Sequence, residues 1–435
     1  MSHFHHALTQ LIKRVENATD GECRITQLLV SKPEFDPIDW LESQVLYPKF
    51  YWQSRDMREE VVAIGQVQAF SDLASAYPIL NAEQRIWGGR TFDSSADNHP
   101  QSESCFFFLP QIELVRDGDT WSLSVNLTHG KHQTLASLRA IKFSFRPVTA
   151  ISSNICSMEH VPDKAAWDRL VNKALSHICL RASKKVVLAR QTTLRLDRPL
   201  SGSQLLKASR ASNGQSYHFM LTLNRQSSFV GSTPERLYTR HNRTLCTEAL
   251  AGTIGRGEGA TQDLRLAYWL SNDRKNLAEN QCVVDDIVER LHTHTKSIDI
   301  DKKTRLVRLR YVQHLKRNIA ATLSEGINDV ELLGTLQPTA AVAGSPRLEA
   351  KQFIDQYEPF SRGWYAGSIG YISHEKAEFC VAIRSALVLG DSIKLYSGAG
   401  IVSGSDAESE WQELDKKMST LLSLFPCQEQ VGVAS

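Results

Sequence analysis

Carboxylates stand beside glycines near the end of this chain. The segment GAGIVSGSDAESEWQELDKK, residues 398–417, runs a glycine-rich loop into a helix carrying Glu408, Glu410, Glu413 and Asp415. Spare backbone N–H groups in such a loop attract anions. Concentrated negative charge next to it asks for a cation between the acid and an anionic ligand. Glu410, Glu413 and Lys417 fall at i, i+3 and i+7, on one helix face. The plainer reading is a solvated acidic face closed by an i,i+4 pair from Glu413 to Lys417. Ser405 followed by Glu408 predicts a capping box that starts the helix.

A second acidic helix bears on that choice. SNDRKNLAENQCVVDDIVERL, residues 271–291, carries Glu279 in an otherwise apolar register with Leu277, Cys282, Val283 and Ile287. Glu279 and Glu413 on two packed helices would suit Mg²⁺, which takes one or two protein carboxylates and fills its octahedron with water and anionic substrate. Asp285 and Asp286 read as a solvated helix side.

Four further residue types fit an anion site with proton chemistry. Gly398 and Gly400 permit close backbone approach. In AEFCVAIRSALVL the period of two puts Cys380, Ala382 and Arg384 on one strand face, leaving room for a carboxylate against the guanidinium fork. In SKKVVLARQ, Lys185 shares a strand face with Val187 and Ala189. Desolvation there would lower its pKa and make it a usable base. In GSTPERLY, Glu235 follows Pro234 between two strand segments, where a carboxyl group could stay protonated and act as an acid. LAGT, residues 250–253, reads as a small-residue turn ending in the hydroxyl of Thr253.

The elements that must position these groups are mostly strands. KFYWQ, VVAIGQVQAF, ESCFFFLPQIELV and TWSLSVNL lie in the first 150 residues. From residue 184 onward, KKVVLARQTTLRL, SYHFMLTLN, SSFVGSTPERLYTR, TLCTEALAGT, RLVRLRYVQHL, GWYAGSIGYIS, AEFCVAIRSALVL and SIKLYSGAGIV are β-branched or aromatic-rich and bounded by turn residues. Helices are predicted over the amphipathic start to near Asn17, over 163–179 with Asp163 as N-cap, and at about 262–294, 328–336, 347–357 and 406–424. Many strands with few βαβ alternations indicate an α+β class built on antiparallel sheets. No Pro/Gly/Ser linker separates residues 1–150 from 151–430. One large domain of two intertwined halves is expected.

Composition excludes more than it selects. The chain has 435 residues, 42% hydrophobic and 23% charged, with a net charge of +2, so there is no bulk reason to expect nucleic acid or a membrane surface. No apolar run approaches the ~18 residues of a spanning helix. The start shows no secretory signal, and the eight cysteines form no CxxC pair or zinc spacing. Reduced thiols in a cytoplasmic protein are expected. His3, His5 and His6 read as a solvated helix end.

Together the stretches KKVVLARQT, GSTPERL, TEALAGT, NLAENQCVVDDI, YVQHLKRNI, LQPTAAVAGSPRLEA, EPFSRGWYAGSIGYIS, EFCVAIRSA and GAGIVSGSDAESEWQELDKK resemble the chorismate-utilising enzymes. That family includes anthranilate synthase component I, aminodeoxychorismate synthase, salicylate synthase and isochorismate synthase. The stretches run from about residue 184 to 424 in the family's order. EPFSRGWYAGSIGYIS is most similar to the menaquinone-pathway isochorismate synthases. The resemblance implies one large β-sandwich flanked by helices, with the site between its halves. It implies Glu279 and Glu413 as Mg²⁺ ligands, with Glu410 behind them or acting through water. One chorismate carboxylate would meet the metal, the amides around Gly398 and Lys417. Arg384 and Tyr365 would face the other, and His314 and Thr253 would line the pocket. Lys185 would be the base that activates water for attack at C2, and Glu235 the acid that protonates the departing C4 hydroxyl.

Ala251 bears on the branch. The aminating branch that makes aminodeoxychorismate typically has a lysine in this slot, whereas a small residue lets water reach C2. Anthranilate synthase can also be small there, and salicylate synthase shares Lys185 and Glu235, so both remain alternatives. With water as nucleophile, no glutamine amidotransferase subunit is expected. A nucleic-acid binder is the alternative from another class, resting on the basic run KKTRLVRLRYVQHLKR. It would leave the paired acidic helices unexplained.

Overall fold

The computed structural model describes residues 3–19, 21–92, 105–127 and 131–426. Twenty strands join in one antiparallel network, flanked by helices. Two arms leave the long strand Cys105–Asp117. One proceeds through Glu59–Phe70, Lys49–Gln53, Tyr217–Asn224, Ser227–Thr233, Ser385–Leu389, Ser392–Ile401 and Lys185–Leu196. The other proceeds through Ile86–Arg90, Ser368–Ile372, Lys376–Val381, Arg236–His241, Thr244–Gly255 and Val312–Leu323. Strands from the first 150 residues pair directly with later ones. Lys49–Gln53 runs beside Tyr217–Asn224, and Ile86–Arg90 beside Ser368–Ile372.

An aromatic core draws on both arms. Phe50, Trp52, Trp87, Phe108, Tyr217, Phe219, Phe229 and Ile369 are fully or almost fully buried in one cluster. Alternation of side chains puts these residues on inner faces, while the opposite faces pack against helices. Helix Lys164–Cys179 starts at Asp163, whose carboxylate accepts from the Ala166 N–H. Helix Arg347–Tyr357 matches its expected bounds.

Several sequence expectations need correction, each for a local reason. The helix expected over 262–294 is two helices, Ala260–Asn272 and Arg274–Leu291. Asp273 breaks the run by taking an extended conformation and capping the second helix through the Asn276 N–H. RLVRLRYVQHL is not one strand but the hairpin of Arg305–Arg308 with Val312–Leu323. LAGT is no turn: it lies inside the strand Thr244–Gly255, as a bulge between Leu250 and Thr253 where Gly252 takes φ +85°. The capping box at Ser405 does not form. Asp406 caps helix Ala407–Leu422 through the Ser409 N–H, and the Ser405 hydroxyl accepts from the Val402 N–H and hydrogen-bonds Glu410.

AEFCVAIRSALVL is also split, and the split positions the site. Lys376–Val381 belongs to one arm and Ser385–Leu389 to the other. Arg384 therefore does not alternate with Cys380 and Ala382. It sits at the crossover with φ +50°. Ser227–Thr233 and Arg236–His241 make the same change of arm, with Glu235 at their crossover. The two crossovers are tied together by the Val381 N–H to the Glu235 carbonyl at 3.1 Å and the Ser232 N–H to the Arg384 carbonyl at 3.1 Å.

Candidate active site

A small, partly enclosed cavity lies beside those crossovers. Glu235, Thr253, Glu279, His314, Tyr365, Arg384, Gly398 and Lys417 line it. These come from both arms and from both acidic helices, so the fold brings together residues far apart in sequence.

Lys185 does not line the open space. It begins its strand under Gly400, is buried to 1%, and its Nζ lies 3.0 Å from Glu279 Oε1. Gly400 leaves room for them, because a Cβ would lie 2.7 Å from Glu279 Oε1 and 2.7 Å from Lys185 Cε and both side chains would have to shift. A Cβ at Gly398 would lie 2.8 Å from the Tyr365 hydroxyl. The two glycines are the floor on which the Lys185–Glu279 pair and Tyr365 rest. The buried Arg362–Glu358 pair holds the neighbouring walls, with Arg362 donating to the Val187 and Val342 carbonyls at 2.8 Å each.

The helix carrying Glu279 is anchored by the residue one turn before it and by the residue that follows it. Asn276 accepts from the Thr253 N–H at 3.1 Å, and Asn280 donates to the Ala249 and Ala251 carbonyls. These bonds satisfy backbone groups that the bulge leaves unpaired. On the adjoining strand, His314 accepts from or donates to Thr253 Oγ1 at 3.0 Å through Nδ1, and its Nε2 lies 3.1 Å from Arg384 Nη2. A guanidinium only donates, so Nε2 is the acceptor and the Nδ1–H donates to Thr253. Burial, then Arg384 and Lys417, hold the His314 imidazole well below its ordinary value, which keeps it neutral.

Glu235 is the carboxyl group most changed by its surroundings. Burial first, and Glu248 second, push it up to about 8 despite Lys185, Arg384 and Lys417. Burial likewise lowers Arg384 to about 10 and raises Tyr365 to about 12. Tyr365 stacks on Tyr396 with centroids 5.1 Å apart.

The three glutamates proposed around a metal each have a lysine partner. Glu279 pairs with Lys185, Glu413 with Lys417 at 2.6 Å, and Glu410 with Lys275 at 2.9 Å. The plain i,i+4 reading of Glu413 and Lys417 is thus present in the fold. Lys417 also donates to the Gly398 carbonyl at 2.7 Å. Among the described residues, no three His, Cys, Asp or Glu side chains form a ready metal cluster. Burial, then Glu413, push the Glu410 carboxyl up. Burial alone would lower the Lys275 ammonium, but Glu410, Glu279 and Glu413 together raise it. All three carboxylates therefore act on the Lys275 ammonium, and carboxylate oxygens are donors of the type that Mg²⁺ accepts.

Sequence reasoning missed Arg55, Glu248, Lys275 and Lys316. Glu248 bridges Arg55 and Lys316 while 2% exposed. It lies within TEALAGT, where a glutamate in a strand buried on both faces was the available signal. Arg55 had none, since it reaches the site from a distant hairpin. The basic run 302–317 is partly consumed internally. Arg305 pairs with Asp301, Lys316 with Glu248, and Arg317 donates to Gln281. No helix among the described residues is long and apolar enough to cross a membrane. Of the cysteines, Cys427 lies outside the described residues; Cys23, Cys156, Cys179, Cys246, Cys282 and Cys380 are free thiols.

Known proteins resemble this arrangement across its whole length. The profile of the chorismate-binding enzymes matches residues 73–425. Isochorismate synthase MenF of Escherichia coli is 41% identical over 432 residues, 96% of this chain and 98% of that protein. Isochorismate synthase MenF of Haemophilus influenzae is 38% identical over 92% of each chain. The solved structure of the menaquinone-specific isochorismate synthase MenF from Escherichia coli superposes with a TM-score of 0.89, covering 98% of this chain and 100% of that one.

Proposed function

Because the chain belongs to the chorismate-binding enzyme family, we propose that it isomerises chorismate to isochorismate for menaquinone biosynthesis. Supporting this, Glu235, Arg384, His314 and Lys417 line one cavity, and Lys185 lies buried behind its wall, paired with the lining residue Glu279. Cations of this kind would meet the two carboxylates of a ring diacid. The residue roles below follow from that placement.

Lys185, acting as the base, takes a proton from water, and the water oxygen forms a bond to C2 of the ring. The ring double bonds shift, and the bond from C4 to its hydroxyl breaks. Hydroxide is a poor leaving group, so Glu235 gives it a proton as it departs. With burial holding its carboxyl near 8, Glu235 keeps that proton at neutral pH. One water enters and one leaves, so no redox partner is needed. Arg384 and Tyr365 hold one carboxylate. The Gly398 backbone and Lys417 receive the other, and Thr253 fixes the His314 ring beside Arg384.

Isochorismate synthases as a class are metal-dependent. Glu279 and Glu413, with Glu410 through water, would hold Mg²⁺, which when bound orients a substrate carboxylate and offsets its charge. Ala251 leaves the approach to C2 open and inert, which favours water over a covalent amine.

The test is chromatography of the products formed from chorismate with Mg²⁺, with and without ammonia. Isochorismate in both supports the proposal. Salicylate with pyruvate, or anthranilate only with ammonia, would replace it with the corresponding activity.

A further inference from the structure

Glu235 sits between two residues whose backbones are held by one ion pair. Arg55 Nη1 donates to the Pro234 carbonyl at 2.6 Å and to Glu248 Oε1 at 2.5 Å, and Arg55 Nη2 donates to Glu248 Oε2 at 2.9 Å. Glu248 Oε1 in turn accepts from the Arg236 N–H at 3.0 Å. The bidentate fork thus grips the peptide on the N-terminal side of Glu235, and its carboxylate grips the peptide on the C-terminal side. Lys316 adds a second cation to Glu248 Oε2 at 3.1 Å. Arg55 is itself steadied over the Tyr217 ring, 5.5 Å from its centroid.

We infer that Arg55 and Glu248 form a clamp that positions Glu235 for its proton transfer, with Lys316 holding the clamp's carboxylate. They touch neither the cavity nor the reacting atoms, so they are positioning residues. The inference rests on the reading of Glu235 as the general acid. Geometry supplies the reason a clamp is needed. Glu235 occupies a crossover between sheet arms, where its own backbone is held by the Val381 N–H and the Thr233 hydroxyl, and the clamp adds a hold on the peptides to either side. Misplacing a proton donor by about 1 Å can cost on the order of 100-fold in rate.

The clamp has an electrostatic consequence as well. Burial would raise the Glu248 carboxyl, but Arg55 and then Lys316 hold it below the usual range, so it stays ionised. The charged or titratable groups acting on or influenced by Glu235 are Glu248, Lys185, Arg384, Lys417, Tyr365 and Cys380. Glu248 is the neighbour that favours the protonated acid.

The test compares the full-length E248Q and R55K variants with the parent and with E235Q. The measurements are kcat, KM for chorismate, the alkaline limb of the kcat profile, and thermal melting. Loss of the clamp should lower kcat by about tenfold or more in both E248Q and R55K, with KM changed by less than about threefold. E248Q should also move the alkaline limb to lower pH, whereas R55K, which keeps its charge, should move it less. A purely structural defect would lower the folded fraction without moving that limb. Parental kcat and an unmoved limb in E248Q, beside an inactive E235Q, would overturn the clamp alone. Parental turnover in E235Q would overturn the clamp together with the role of Glu235. If E248Q melts below the assay temperature, E248D carries the test. It keeps the charge but withdraws the carboxylate from the Arg236 N–H, so kcat falls while the limb stays. A parental kcat in E248D would then overturn the clamp.

Discussion

Lys185 and Glu279 form an ion pair of 3.0 Å across Gly400, the lysine buried to 1% and the glutamate at the cavity wall. The proposed base and a proposed metal ligand are therefore direct partners. An oxygen engaged with the ammonium is not free for a cation, so loading a metal and freeing the amine are coupled through one carboxylate. Lys185→Ala should lower kcat by about 10³-fold, within the range for losing a general base. The fold should survive, because Glu279 retains access to water at the cavity. Steady-state kinetics beside a circular-dichroism melt checks both statements. Near-parental turnover in a folded variant would remove Lys185 from its role.

Glu235 makes a pH prediction whose sign follows from its role. An acid catalyst works while protonated, so with a carboxyl held near 8 by burial, turnover in the forward direction should fall as pH rises through about 8. Glu235→Gln should lower kcat by about 10²–10⁴-fold at all pH values.

The same group links pH to stability. The folded-state pKa of Glu235 lies above its ordinary value of 4.5, so the native state binds the extra proton. Its contribution to stability is fully present below about 4.5 and is lost as pH rises through about 8. Glu235→Gln cannot ionise, so its melting temperature should gain on the parent between pH 6 and 9. Calorimetric scans at the two pH values check this. A constant difference would show that Glu235 ionises at its ordinary value in the native protein.

The glycine floor gives a steric prediction. Gly400→Ala should force Lys185 and Glu279 apart, since a new Cβ meets both at 2.7 Å. Loss of turnover by about 100-fold is expected. Gly398→Ala presses on one hydroxyl, 2.8 Å away on Tyr365, a ring that stacking holds on Tyr396. It should act mainly on KM for chorismate. Equal effects of the two variants on kcat would contradict separate duties for the two glycines.

Legibility in the sequence followed the range of each signal. Period-two patterns and turn residues mark strands locally, so the antiparallel α+β class and Lys185 at a strand start were readable. Helix caps are equally local, hence Asp163. Arg384 was found by type but placed wrongly. A strand that changes sheet arms looks continuous in sequence, and the φ of +50° at the crossover leaves no compositional mark. The bulge at Leu250–Thr253 looked like a turn because both use small residues and glycine. Arg55 was invisible because its partners, Pro234 and Glu248, lie almost two hundred residues away. The carboxylates were legible as an excess of charge and Lys417 as the i,i+4 partner of Glu413, whereas Lys185 and Lys275, which answer Glu279 and Glu410 from other elements, were not.

Those lysines set the last prediction. Each carboxylate proposed around Mg²⁺ has an ammonium partner: Lys185, Lys417 or Lys275. A cation must compete with them, so metal binding should be readily reversible. EDTA should abolish activity and added Mg²⁺ should restore it. Glu279→Gln and Glu413→Gln should each remove a direct ligand, and Mn²⁺ binding followed by paramagnetic resonance should fall below detection. Glu410→Gln should weaken Mn²⁺ binding by about 10–100-fold, the usual cost of losing an outer supporting group. That variant also relieves the repulsion from Glu413 that pushes the Glu410 carboxyl up, so it should fold at least as well as the parent. Tight Mn²⁺ binding in all three variants, or full activity after chelation, would show that these helices answer their own lysines and nothing else.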